Sequence, residues 1–193
     1  MDITTTHGRL GSEASAFLSG PHRLLIGGEW VEARSGKTFD VFDPATGQMV
    51  AKVAEGDAAD IDAAVAAARR AFEEGPWPRM SPSERGKLLW RLADVLEARK
   101  QEFAEIESLD NGKPIRDALA ADLPGSYEIM RNMAGWATKL NGETIAINAP
   151  GDRHAYTLRE PVGVVGQIIP WNFPPMMARG SWRRRWPAVA RSC

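Results

Sequence analysis

An asparagine that follows a long apolar run is the residue of this sequence best placed to do chemistry. Residues 161–169 are rich in valine and isoleucine, and Pro170, Trp171 and Asn172 come directly after them. Such a run is typical of a buried strand in a parallel sheet, and ligands bind outside the carboxyl ends of those strands. The Asn172 amide could therefore donate a hydrogen bond to a substrate oxygen. The alternative, on position alone, is a turn asparagine without a chemical role.

Other side chains of catalytic type lack partners in the sequence. Cys193, the single cysteine, is the last residue and has no histidine or acid beside it, so nothing would activate its thiol. Lys113 and the pair Arg69-Arg70 are expected to be solvated surface residues. No metal-binding or acid–base spacing occurs at any of the histidines, which are His7, His22 and His154. No metal site is therefore predicted.

The first part of the chain predicts short strands followed by helices. Residues 1–20 show no periodicity and are predicted to be disordered, whereas Gly27-Gly28 between apolar runs predicts a hairpin. Asp57 is a candidate N-cap for a helix whose apolar face contains Ile61, Val65, Ala68 and Phe72. Ser81 to Glu84 forms a capping box with a proline at the first helical position. The stripe expected to be buried on that helix contains Leu88, Leu89, Leu92, Val95 and Leu96.

The second part predicts a helix, an arm and one core strand. A helix is expected over about 125–140, and two strands within 141–160 are predicted to form the arm. The run at 161–169 would be a single strand of a parallel sheet. Because such a sheet needs several strands joined by crossovers, the sequence predicts an incomplete α/β protein.

Composition excludes several classes of protein. The chain has 193 residues, of which 44% are hydrophobic and 25% are charged, as in soluble globular domains. No apolar run reaches the roughly 18–20 residues of a membrane helix, and residues 1–20 lack the pattern of a secretory signal. A single cysteine excludes a disulfide framework and favours a cytoplasmic location. We therefore expect no membrane partner.

Several motifs together resemble the NAD(P)-dependent aldehyde dehydrogenase superfamily. The longest runs from Glu160 to Pro174 and ends in Pro-Trp-Asn-Phe-Pro. Shorter motifs occur upstream in the family's order and spacing, at 27–30, 42–47, 110–114, 134–137 and 142–144. The resemblance covers about residues 22–178.

The resemblance implies the N-terminal part of the aldehyde dehydrogenase α/β fold. That fold has a Rossmann-like cofactor domain, a catalytic domain and a β-hairpin arm through which subunits form homo-oligomers. Residues 21–140 would belong to the cofactor domain with its helical block, 141–160 to the arm, and 161–178 to the first core strand and the loop after it. Family members are much longer than this chain, which is therefore expected to be an incomplete fragment.

The resemblance also implies oxidation of an aldehyde to a carboxylic acid, with NAD or NADP as the hydride acceptor. In the family, a cysteine thiolate attacks the carbonyl and a glutamate-activated water releases the thioester. Asn172 matches the asparagine whose side-chain amide stabilises the oxyanion. The residues that match those along the cofactor are Ile168, Ile169, Pro170, Trp171 and Asn172. The cysteine and the glutamate would lie beyond this chain, so we expect no turnover by it alone. The alternative is a non-catalytic remnant that pairs with intact subunits through its arm.

Residues 179–193 depart from the family pattern and contain five arginines and no acid. A basic tail on an acidic body suggests nucleic acid, and its two tryptophans could stack on bases. A frameshift explains the tail without that function. The tail can be back-translated with codons that encode a different sequence when they are read from the third base of the Ala178 codon. That shifted frame gives Ala-Trp-Lys-Leu-Ala-Pro-Ala-Leu-Ala, which resembles the family's next helix. We therefore hypothesise that one base was lost near codon 178 and expect no nucleic-acid partner.

Overall fold

The computed structural model describes residues 10–177, which form a mixed α/β structure. The strands are β1 (Leu24–Ile26), β2 (Glu29–Val31), β3 (Thr38–Phe42), β4 (Met49–Ala54), β5 (Thr144–Ile145) and β6 (Ala155–Tyr156). The helices are α1 (Ser12–Ser19), α2 (Ala58–Glu73), α3 (Pro82–Ala98), α4 (Lys100–Asn111), the short α5 (Ile115–Asp117) and α6 (Leu123–Trp136). A 3₁₀ turn at Trp77–Arg79 precedes α3, and a π-helical turn at Ala118–Asp122 joins α5 to α6.

The strands pair as three antiparallel hairpins: β1 with β2, β3 with β4, and β5 with β6. The predicted Gly27-Gly28 turn connects the first pair, and both glycines have positive φ, a conformation that residues with a side chain rarely adopt. A β-bulge interrupts the second pair between Val41 and Phe42. The mixed α/β class and the predicted hairpins are thus present.

Both predicted helix starts are confirmed by their hydrogen bonds. The Asp57 carboxylate accepts from the Ala59 N–H at 2.9 Å, and the Asp60 carboxylate accepts from the Asp57 N–H at 3.0 Å. At α3, the Ser81 hydroxyl accepts from the Glu84 N–H at 3.3 Å and the Glu84 carboxylate accepts from the Ser81 N–H at 2.8 Å. These reciprocal pairs satisfy amides that a helix start leaves without partners.

The core lies where α3 and α6 pack against each other and against α4. Gly86 on α3 permits this close approach, because a Cβ there would lie 2.9 Å from the main-chain oxygen of Ala134 on α6. The buried cluster contains Ala93, Leu96, Ala104, Ala118, Leu123, Tyr127 and Met130. The sequence predicted α3 and α6 of this core, but placed α6 a few residues late.

The predicted apolar faces of α2 and α3 are only partly correct. On α2 the buried side is formed by alanines, while Ile61 and Val65 are exposed. On α3, Leu89 and Leu96 are buried, whereas the neighbouring positions Leu88, Leu92 and Val95 are exposed. Both helices carry apolar residues around more than half of their circumference, so periodicity alone does not decide which side meets a partner.

Two further predictions are wrong. Within the stretch predicted to be disordered, residues 12–19 form α1, and its Ala14 and Leu18 are buried. The N–H of Gly11, just before the helix, donates to the Glu105 carboxylate at 2.7 Å. The run at 161–169 is not a strand, because no other strand lies beside it within residues 10–177. Its backbone has no regular secondary structure and forms no ladder hydrogen bonds, and the Ile168 residue is 99% exposed.

Candidate functional site

Asn172 lies in a turn between two segments of different conformation. Residues 161–170 lead into it without regular secondary structure, and residues 174–177 form one helical turn after it. The Met177 N–H closes that helical turn by donating to the Phe173 carbonyl at 2.8 Å. The local sequence explains the change, because Pro174 and Pro175 suit a first helical turn, where a free N–H is not needed.

The side-chain amide of Asn172 is available as a hydrogen-bond donor. The residue is exposed, and within residues 10–177 its side chain has no hydrogen-bond partner. Its main chain, in contrast, is held: the Asn172 carbonyl accepts from the Lys113 ammonium at 3.0 Å. A fixed backbone with a free amide is an arrangement that can present an N–H to a substrate oxygen.

The residues before Asn172 provide an exposed apolar surface. Ile168 is almost fully exposed, Trp171 is 76% exposed, and Ile169 between them is half-buried. Pro170 is also exposed. The sequence-predicted cofactor residues therefore lie together on one segment that ends at Asn172.

Lys113 is not the surface residue that the sequence analysis expected. Its side chain is 18% exposed and forms ion pairs with Glu107 at 2.9 Å and with Asp122. The two acids are almost completely buried, with side-chain exposures of 2% and 4%. The signal that sequence reasoning missed is the number of acids on α4, of which Glu102, Glu105 and Glu107 are all buried. Buried carboxylates require cations or hydrogen-bond donors.

The protonation of this cluster follows from burial and charge. Burial raises the pKa of the Glu107 carboxyl, the Lys113 ammonium opposes that shift, and the neighbouring Asp122 adds to it. Burial alone would lower the pKa of Lys113, but its hydrogen bonds to Asp122 and Glu107 outweigh that effect and raise it. Lys113 therefore stays positively charged, and Glu107 keeps a proton more readily than an exposed glutamate does.

The other candidates do not come together into a site. His22 contacts the Leu18 carbonyl at 3.4 Å, and the His154 ring packs at a tilt against the Tyr156 ring with centroids 5.3 Å apart. Within residues 10–177, no three His, Cys, Asp or Glu side chains are arranged to hold a metal ion. His7, Cys193 and the basic tail at 179–193 lie outside the described residues, so the frameshift and nucleic-acid hypotheses stay predictions.

A cavity of about 600 Å³ lies between α1, the β3–β4 hairpin and α4. It is mostly apolar, with Phe17, Trp30 and Val53 in its wall, and none of residues 168–172 lines it. This cavity is therefore separate from the Asn172 turn. No helix within residues 10–177 has the length and apolar character needed to cross a bilayer.

Known proteins resemble the chain in both sequence and structure. The model of the aldehyde dehydrogenase family matches residues 30–191, a range that includes most of the tail that the sequence analysis placed outside the family pattern. Mitochondrial aldehyde dehydrogenase from Homo sapiens is 50% identical over 170 residues, which are 88% of this chain and 32% of that protein. Aldehyde dehydrogenase family 2 member B4 from Arabidopsis thaliana is 53% identical over 155 residues, which are 80% of this chain and 28% of that protein.

A solved structure shows the same arrangement of elements. The NAD+ complex of aldehyde dehydrogenase from Bacillus cereus superposes with a TM-score of 0.89 at 45% identity, covering 95% of this chain and 38% of that one. The chain thus spans about a third of the length of the curated relatives that it matches.

Proposed function

Because the chain belongs to the aldehyde dehydrogenase family, we propose that residues 22–177 form part of an NAD(P)-dependent enzyme that oxidises an aldehyde to a carboxylic acid. The observation that carries this proposal is the Asn172 turn, which combines a fixed main chain with a free side-chain amide. A cytoplasmic location belongs to the same proposal, since a chain with one cysteine has no disulfide to form within itself.

In the proposed reaction, Asn172 donates its side-chain N–H to the carbonyl oxygen of the aldehyde. That oxygen gains negative charge when a nucleophile attacks the carbonyl carbon, so the hydrogen bond is stronger in the transition state than in the ground state. A donor that is already in place costs no reorganisation when the charge develops. Asn172 therefore acts by stabilising charge, and it transfers no proton itself.

The segment before Asn172 is the proposed contact for the cofactor. Members of this family use NAD(P), as the Bacillus cereus complex illustrates for that protein. Ile168, Ile169, Pro170 and Trp171 fit such a ligand, because they offer largely exposed apolar surface on a backbone without ladder partners. When bound, the nicotinamide supplies the hydride acceptor. The role of these residues is to bind the ring and keep water away from it.

We expect the purified 193-residue chain to produce no NADH or NADPH from aldehydes. Within residues 10–177 there is no cysteine. We propose that the family's nucleophile and general base belong to the part of the fold that the relatives have and this chain does not span. The measurement is the absorbance of reduced cofactor with a panel of aldehydes, with the Bacillus cereus enzyme as the positive control. The matched variant is Cys193→Ser. Turnover that this variant abolishes would make Cys193 the nucleophile, and turnover that it retains would point to a different chemistry; either result contradicts the expectation.

A second candidate function is non-catalytic pairing with intact subunits through the arm, residues 141–160. The β5–β6 hairpin is short, and the main chains of Glu143 and Thr157 extend it through a hydrogen bond of 2.9 Å. Its apolar side chains are exposed, namely Ile145, Ile147, Tyr156 and Leu158. Exposed apolar strands with free edges are surfaces on which another chain can pair.

The pairing hypothesis predicts that the chain co-purifies with a tagged, full-length relative and that Gly142→Ala reduces the recovery. A Cβ at Gly142 would collide with the Thr157 main-chain oxygen and separate the two sides of the arm. Gly166→Ala is the matched control, because a Cβ there meets no atom within 4 Å. Affinity purification after co-expression measures the recovered chain. A chain that stays monomeric, or equal recovery of both variants, contradicts the hypothesis.

A further inference from the structure

The ammonium of Lys113 uses all of its hydrogen-bonding capacity on three separate parts of the fold. It donates to the Glu107 carboxylate on α4 at 2.9 Å, to the Asp122 carboxylate before α6, and to the Asn172 main-chain oxygen at 3.0 Å. An ammonium has three N–H donors, so none is left for another partner. The bond to Asn172 joins residues that are 59 positions apart in the sequence.

The groups that hold the Lys113 ammonium in place are themselves restrained by the fold. Both carboxylates are buried on helical elements, and a buried carboxylate without its cation would lower the stability of the fold. The main chain of Lys113 is also fixed, because its N–H donates to the Asn111 side chain at 2.9 Å and its carbonyl accepts from the Ser108 hydroxyl at 2.6 Å. The direction of the third N–H, which donates to the Asn172 carbonyl, is therefore set by the contacts of Lys113 with Glu107 and Asp122.

The same ammonium contacts the residue after Asn172. Lys113 Nζ lies 4.1 Å from the centroid of the Phe173 ring, within the range of a cation–π interaction. Two consecutive residues of the turn thus contact one partly buried charge, through a carbonyl and through an aromatic face. These two contacts restrict both the position and the rotation of the turn.

We propose that Lys113 is the positioning residue for the Asn172 turn, fixing its main chain so that the side-chain amide is aimed at the substrate oxygen. This proposal rests on the proposed function, in which Asn172 stabilises the oxyanion. Lys113 itself touches neither substrate nor cofactor. The alternative role is purely structural: Lys113 would only neutralise Glu107 and Asp122, and the contacts with the turn would have no effect on it.

The test is the mobility of Asn172 in the full 193-residue chain, measured by ¹⁵N relaxation of its backbone and side-chain amides. In the unsubstituted chain we expect a backbone order parameter of about 0.85, and in Lys113→Met a value below about 0.6, which is typical of flexible segments. Lys52→Met is the control, because Lys52 is an exposed lysine that is ion-paired with Asp40. It should leave Asn172 rigid.

A triple variant separates positioning from charge balance. Lys113→Met combined with Glu107→Gln and Asp122→Asn leaves no unpaired buried charge at this cluster. The mobility of Asn172 can therefore be measured in the triple variant even if the single variant does not fold. A mobile Asn172 in the triple variant supports the proposal. A rigid Asn172 in either variant, or a mobile one in the unsubstituted chain, overturns it. Because none of these measurements involves turnover, their outcome is independent of whether Asn172 stabilises an oxyanion.

Discussion

Replacing Asn172 by alanine should lower kcat about 100- to 1,000-fold in an enzyme that contains this turn, because one preorganised oxyanion donor has that effect. The substitution removes the free N–H and leaves the Lys113 contact intact, since that contact is made by the main-chain oxygen of residue 172. The expected loss lies in kcat because the hydrogen bond strengthens only as charge develops on the oxygen. The KM for the aldehyde should change much less.

The experiment requires a chain long enough to turn over. Residues 22–177 would replace the matching part of the Bacillus cereus aldehyde dehydrogenase, whose structure superposes on this chain with a TM-score of 0.89. The unsubstituted chimera sets the reference rate. Gln167→Ala is the matched control, because Gln167 lies on the same segment and its side chain donates to the Met177 carbonyl at 3.2 Å, away from the proposed oxyanion.

The two kinetic constants identify the step that Asn172 serves. A fall in kcat that Gln167→Ala does not share supports transition-state stabilisation. A rise in KM at constant kcat would show that Asn172 binds substrate and transition state equally. If both kcat and KM are unchanged, Asn172 has no role in the mechanism. Neither result would bear on the Lys113 contact, which is measured in the chain itself.

The features that could be predicted from sequence are those whose interactions lie within a few residues. The caps at Asp57 and Ser81 involve side chains and amides no more than three positions apart, so their residue types are sufficient signals. The turn at Gly27-Gly28 is equally local. The position of Asn172 after an apolar run was also visible, but the availability of its amide and the restraint of its main chain were not.

What the sequence did not reveal depends on partners that are distant along the chain. Lys113 contacts Asn172 across 59 positions, so the sequence around Lys113 gives no sign that it contacts this turn. The exposed sides of α2 and α3 have the same apolar periodicity as the buried sides, and only the packed structure decides between them. The run at 161–169 has a strand's composition, yet a strand forms only where another strand accepts and donates its main-chain hydrogen bonds.

Leu123→Ala should reduce the free energy of unfolding by about 2–5 kcal/mol, the range for a leucine removed from a packed core. Leu123 is fully buried at the start of α6, in the cluster that α3, α4 and α6 share. Leu92→Ala is the matched control: Leu92 lies on α3 and is exposed, so its removal opens no cavity and should cost less than about 1 kcal/mol. Urea unfolding followed by circular dichroism measures both.

The position of Leu123 connects this loss of stability with the candidate site. Leu123 directly follows Asp122, one of the two carboxylates that hold the Lys113 ammonium. A cavity beneath it should let the π-helical turn shift, so in chains that remain folded the Asn172 amide should be more mobile in Leu123→Ala than in Leu92→Ala. Leu123→Val, which removes a single methylene, should lie between the two in both measurements. If stability falls in this series while Asn172 stays rigid, the core supports the fold but the turn does not depend on how tightly the core around Asp122 is packed.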